Sequence, residues 1–123
     1  MTCQEQLAAI LGWECDDRDL FNEHFFTVAS FNLQHPAQFT DEALSALRSG
    51  FIEAFDGTTP FETLRRRTAA RFEGKRRVLK DEADRCPVLR QWKETIADVY
   101  DLGRPQGAAE RVIRWAAAIR SEL

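Results

Sequence analysis

Along this chain apolar side chains recur at intervals of three and four, and no segment alternates apolar and polar at a period of two, so the pattern predicts helices and no strands. A short first helix is expected around Gln4 to Leu11. From Asp16 or Asp17 onward Leu20, His24, Val28, Phe31 and His35 form one stripe, widened by Phe25, Phe26 and Leu33, which predicts one long, central and largely buried helix. Pro36 should stop it, since proline has no N–H to donate and pushes the preceding residue out of helical backbone. Thr40 reads as the next N-cap, with Asp41 and Glu42 at the positive end of a helix whose inner face carries Leu44, Leu47, Phe51 and Phe55 and which Gly57 ends. Thr59, Pro60 and Glu62 then form a capping box with a first-turn proline, and Phe61, Leu64 and Phe72 should face inward. The charged stretch from Lys75 to Arg85 fits a loop or a short helix. Pro87 opens a helix striped by Leu89, Trp92, Ile96 and Val99 and ended by Gly103 and Pro105. In the last helix Val112, Ala116, Ile119 and Leu123 share one side, while Arg111, Arg114 and Arg120 make the other basic.

These elements compose an all-α fold, an irregular bundle of four to six helices. No repeat, low-complexity run or linker divides the chain, so residues 1–123 are read as a single helical domain. A hydrophobic fraction of 44%, with nine Phe and three Trp, supplies enough apolar surface for one core. No run approaches the ~18 consecutive apolar residues of a membrane span, and the start lacks the basic and apolar blocks of a signal peptide. The expected place is therefore a bacterial-type cytoplasm, with no membrane partner. In that reducing setting Cys3, Cys15 and Cys86 are expected as thiols.

The net charge of −3 hides an asymmetry. Residues 1–62 hold 11 acids and 2 bases, residues 63–85 hold 9 bases and 4 acids, and residues 86–123 are nearly balanced. The basic run comprises Arg65, Arg66, Arg67, Arg71, Lys75, Arg76, Arg77 and Lys80, which makes phosphate or nucleic acid a candidate partner. Three consecutive arginines, however, point over about 200° of a helix, and the acidic half offers them partners within the chain, so a salt-bridged surface is favoured over nucleic-acid binding. Asp16, Asp17, Asp19 and Glu23 sit where negative charge suits a helix start and need no catalytic purpose.

Chemistry-bearing residues are few. His24 and His35, eleven residues apart, would lie on one face of a continuous helix but ~16 Å apart, too far to share one zinc ion. His35 can instead bond backbone groups or Gln34 and fix the Gln-His-Pro corner, and His24 on an apolar stripe reads as a core histidine, a ligand or a general base. Cys3 and Cys15 bracket a segment that could fold back so that both thiolates reach His24, an N/S set that suits zinc; packed, reduced cysteines are the plainer alternative. The chain has no Gly-rich phosphate loop, no His-Glu-x-x-His and no nucleophile elbow.

The run from His24 through Thr27-Val28-Ala29 to Leu33-Gln34-His35-Pro36 resembles a bacterial family of uncharacterised proteins that reads close to His-His-Leu-Thr-Val-Ala-Cys-Tyr-x-Leu-Gln-His-Pro. Trp92 with Thr95-Ile96-Ala97-Asp98-Val99, and Ala109-Glu110-Arg111-Val112 with Trp115-Ala116, look like that family's C-terminal segments. The resemblance implies a shared fold over most of the chain. It also suggests a zinc site, because members start with Cys-x-x-Cys and carry a further Cys before Leu-Phe; Cys3 matches the first and Cys15 the last of these, and Gln6 stands where the second Cys would be.

Three functions follow as expectations. The first is a small non-catalytic helical module, its core organised by His24, Thr27 and Gln34, whose surface meets another protein or a second copy. The second is a zinc-binding protein or metal-dependent enzyme using Cys3, Cys15 and His24, and the third, less favoured, is nucleic-acid binding through residues 65–80.

Overall fold

The computed structural model describes residues 1–60, 62–64, 66–67 and 92–123. Phe61, Arg65 and the run from 68 to 91 lie outside it, and with them the expectations placed on Arg71, Phe72, Arg76, Arg77, Cys86, Pro87 and Leu89. Among the described residues the chain is helix, turn and connection, with no strand. The helices include α1 (Cys3–Trp13), α2 (Arg18–Asn22), α3 (His24–Leu33), α4 (Asp41–Asp56), α5 (Ile96–Tyr100) and α6 (Ala108–Glu122), with 3-10 turns at Pro36–Gln38 and Asp101–Gly103; residues 62–64 and 66–67 are helical as well. This is an irregular all-α bundle.

Local chemistry explains most of the starts and stops. Thr2 caps α1 in a full capping box, its hydroxyl accepting from the Glu5 N–H and the Glu5 carboxylate accepting from the Thr2 N–H. Asp17 accepts from the Leu20 N–H at 3.1 Å to start α2, and Thr40 accepts from the Ala43 N–H at 3.2 Å to start α4. Gly57, at φ 72°, ends α4 in the left-handed conformation. Past it the Leu64 N–H bonds the Pro60 carbonyl at 3.1 Å, a helical turn, while the Thr59 hydroxyl donates to the Glu53 carboxylate at 2.8 Å.

Two expectations change. The long helix drawn from Asp16 to His35 is broken at Glu23, whose backbone (φ −96°, ψ 13°) ends α2 and begins α3. Spacing cannot register this break, since a one-residue turn leaves Leu20 and Thr27 both facing inward. Second, residues 92–95 are not helical, and α5 starts only at Ile96, where Thr95 and Asp98 form a capping box.

The core joins Leu7 and Ile10 of α1, Leu20, Phe31, Leu33 and Phe51 to Ile96, Val99, Val112, Trp115 and Ile119. Helix α6 is the hub: it packs against α2, α3, α4 and α5, and α1 joins through α5. Phe26 stands edge-on to Phe51 at 5.6 Å and to Phe55 at 6.1 Å, which seals the α3–α4 seam. No described helix is long and apolar enough to cross a membrane.

Candidate functional site

Of the Leu-Gln-His-Pro corner, Leu33, Gln34 and His35 are buried and Pro36 is exposed. Gln34, at the end of α3, is 2% exposed; its Nε2 donates to the Glu94 carbonyl at 2.8 Å, and its Oε1 accepts from the Trp115 indole N–H at 3.3 Å. One side chain thus ties α3 both to the turn before α5 and to the hub helix. His35 donates from Nδ1 to the Phe31 carbonyl at 2.7 Å and stacks on the Phe31 ring at 4.0 Å, and Pro36 begins the 3-10 turn. Thr27 is fully buried, with its hydroxyl donating to the Glu23 carbonyl at 3.2 Å. The side chains of Gln34, His35 and Thr27 each hold a backbone carbonyl.

His24 stands elsewhere. The break at Glu23 turns it out of the core, leaving its side chain 51% exposed, and brings Nδ1 to the Glu14 carboxylate at 2.8 and 3.1 Å. Glu14 itself is buried, at 8% exposure. A carboxylate accepts, so the Nδ1 of His24 carries the hydrogen. Beside the pair lies an open hollow of about 730 Å³ lined by residues that include Leu11, Glu14, Cys15, Asp16, Arg18 and Phe21. Phe21 is 59% exposed and stacks on the His24 ring at 6.4 Å. Burial pushes the neighbouring Glu23 carboxyl above its ordinary value.

The expected zinc set is not assembled. Cys3 opens α1 and Cys15 lies two residues beyond its end at Trp13, with a helix ~15 Å long at 1.5 Å per residue between them, whereas ligands of one zinc ion lie within ~4 Å of one another. Cys3 is buried and disulfide-bonded, contrary to the expectation of three thiols, and a disulfide sulfur offers no thiolate. Cys15 is a free, exposed thiol. Among the described residues no three His, Cys, Asp or Glu side chains are grouped to hold a metal ion. Of the basic run, Arg67 is taken up by Glu53 at 2.9 Å and Arg66 reaches the Glu62 carbonyl.

One feature had no signal in the pattern of apolar positions. After α5 the chain passes through Asp101 (φ 47°) and Leu102 (φ 57°), two non-glycine residues in left-handed backbone, before Gly103 and Gly107, also at positive φ. Leu102 is 98% exposed. This loop is clamped from the hub helix: Arg111 donates from Nε to the Val99 carbonyl at 3.0 Å, from Nη1 to the Gln106 carbonyl at 2.6 Å, and from Nη2 to the Arg104 carbonyl. Glycine is favoured at both positions by the positive φ, +87° at Gly103 and +78° at Gly107, and a Cβ there would also press at 3.2 Å on the Tyr100 hydroxyl or the Arg111 guanidinium. Arg104 pairs with Asp101 at 3.0 Å. Tyr100, immediately before the loop, stacks on Trp13 at 5.7 Å, so loop and hollow share one end of the molecule.

The fold and these two features define a small all-α chain with a buried polar brace and a loop and hollow at one end. The family of unknown function DUF5946 matches it over residues 1–123, and the chain belongs to that family. Comparison with curated proteins and with solved structures gives no match.

Proposed function

We propose that this protein is a small helical interaction module without catalysis, and that it engages a protein partner through the end that carries Leu102. The observation behind this reading is the presentation of Leu102. Left-handed backbone costs an L-residue roughly 1–2 kcal/mol, and exposing a leucine forgoes roughly 1.5–3 kcal/mol of burial. Yet three hydrogen bonds from Arg111 are spent on holding that conformation. A rigid loop with an outward apolar tip loses little entropy on docking, which is how anchor residues at interfaces act. The Glu14–His24 pair and exposed Phe21 give the same end a polar and aromatic rim.

The reading is tested by placing a photo-crosslinking amino acid at position 102 in cells expressing the chain. A discrete protein adduct, absent when the probe sits at exposed Glu42 and lost in Arg111→Ala, is expected. Adducts no different between the two positions would remove the reading.

A further inference from the structure

We propose that the partner is a second copy of this chain, joined about a two-fold axis, with Leu102 of each copy seated in the hollow of the other against Leu11 and Phe21 and with Arg104 facing Asp16. This rests on the interaction reading above. A two-fold interface requires one surface to carry both members of a complementary pair, because each residue that contacts its counterpart is contacted by it in turn. The end of this molecule satisfies that condition. The Trp13–Tyr100 stack links the end of α1, where the hollow begins at Leu11, to the loop that raises Leu102.

Chemistry pairs the two halves as well. The tip offers one aliphatic side chain, 98% exposed, and the hollow offers Phe21 at 59% exposure beside Leu11. The hollow is acidic, lined by Glu14, Asp16 and Asp17 against the single base Arg18. Glu14 is already engaged by His24 and Asp17 by the start of α2, which leaves Asp16 as the exposed carboxylate at the rim. The tip brings Arg104, whose side chain is 65% exposed even while paired with Asp101. A volume of about 730 Å³ has room for a leucine and an arginine head together. An unrelated partner would have to match an apolar knob and an acidic, aromatic-rimmed hollow at once, which a second copy does by construction.

The test is sedimentation velocity on the full chain from about 1 to about 500 µM, with any covalent dimer through Cys15 scored by non-reducing electrophoresis and excluded. A concentration-dependent dimer is expected. Leu102→Asn, which keeps a residue tolerant of left-handed backbone, should weaken it at least about tenfold without changing the circular dichroism spectrum. Arg104→Glu should weaken it comparably, and adding Asp16→Arg should restore most of the loss, which a mere disturbance of the loop would not do. A monomer throughout, a dimer indifferent to Leu102→Asn, or a double reversal that restores nothing overturns the proposal. A monomer that still forms a photo-adduct with a different protein overturns the second copy alone and leaves the interaction module standing; a monomer with no adduct removes both.

Discussion

At the scale of single residues, the side chains with chemistry in them are divided between bracing and display. Gln34 braces: with both ends of its amide bonded in the interior, Gln34→Leu strands the Trp115 N–H and the Glu94 carbonyl. We expect a loss of ~2–4 kcal/mol in urea unfolding, against under ~1 kcal/mol for Arg66→Ala on the surface. Leu102 displays, and the sign of its substitution is the opposite. At concentrations where the chain is monomeric, Leu102→Gly relieves left-handed strain and removes nothing buried, so a small gain, under ~1 kcal/mol once the added freedom of the unfolded chain is set against it, is expected by thermal denaturation. A loss of stability in the monomer would mean that the leucine packs against its own chain. His24 lay on the predicted apolar stripe, but its partner Glu14 is ten residues back across a turn, a pairing that no periodicity encodes.

At the scale of elements, caps and breakers were legible because they act on backbone within a few residues. Thr40, Gly57 and Pro36 each stand where the sequence reading put them. The division of α2 from α3 was not legible, and it is what places His24 on the surface. Glu23 at that division carries a testable consequence. Its folded pKa is raised by burial, so the charged form is penalised above that folded value and the penalty is absent below the unfolded one. Glu23→Gln should therefore raise the melting temperature slightly at pH 7 and leave it unchanged near pH 3. The loop after α5 depends on an arginine fork reaching three carbonyls, which a lysine cannot reproduce. Arg111→Lys should deprotect the amides of residues 101–104 to hydrogen exchange while the other helices stay protected.

At the scale of the whole molecule, long-range ion pairs tie the ends of the bundle. Arg120 on the last helix holds Asp56 at the end of α4, and its hydrogen bond lowers the Asp56 pKa; Thr59, with Arg67 beside it, does the same for Glu53. Lowered carboxyls contribute stability above their unfolded values, 3.8 and 4.5, that is lost as pH falls through the folded ones. The melting temperature is expected to fall below about pH 4.5, less steeply in Asp56→Asn. Reduction should also destabilise the protein, by ~2–4 kcal/mol on the usual scale for a native disulfide, whereas Cys15→Ser should not. The sequence by itself determined the helical class, the principal caps and stops, and the inward face of the last helix, because each depends on residues within one or two turns of one another. Only the tertiary structure decided that α6 is the hub, that Gln34 meets Trp115 across 81 positions, that His24 meets Glu14 rather than the core, and that Leu102 is held out into solvent. These depend on which surfaces meet after the helices have formed, and the one-dimensional order of side chains carries no record of that until the chain is folded.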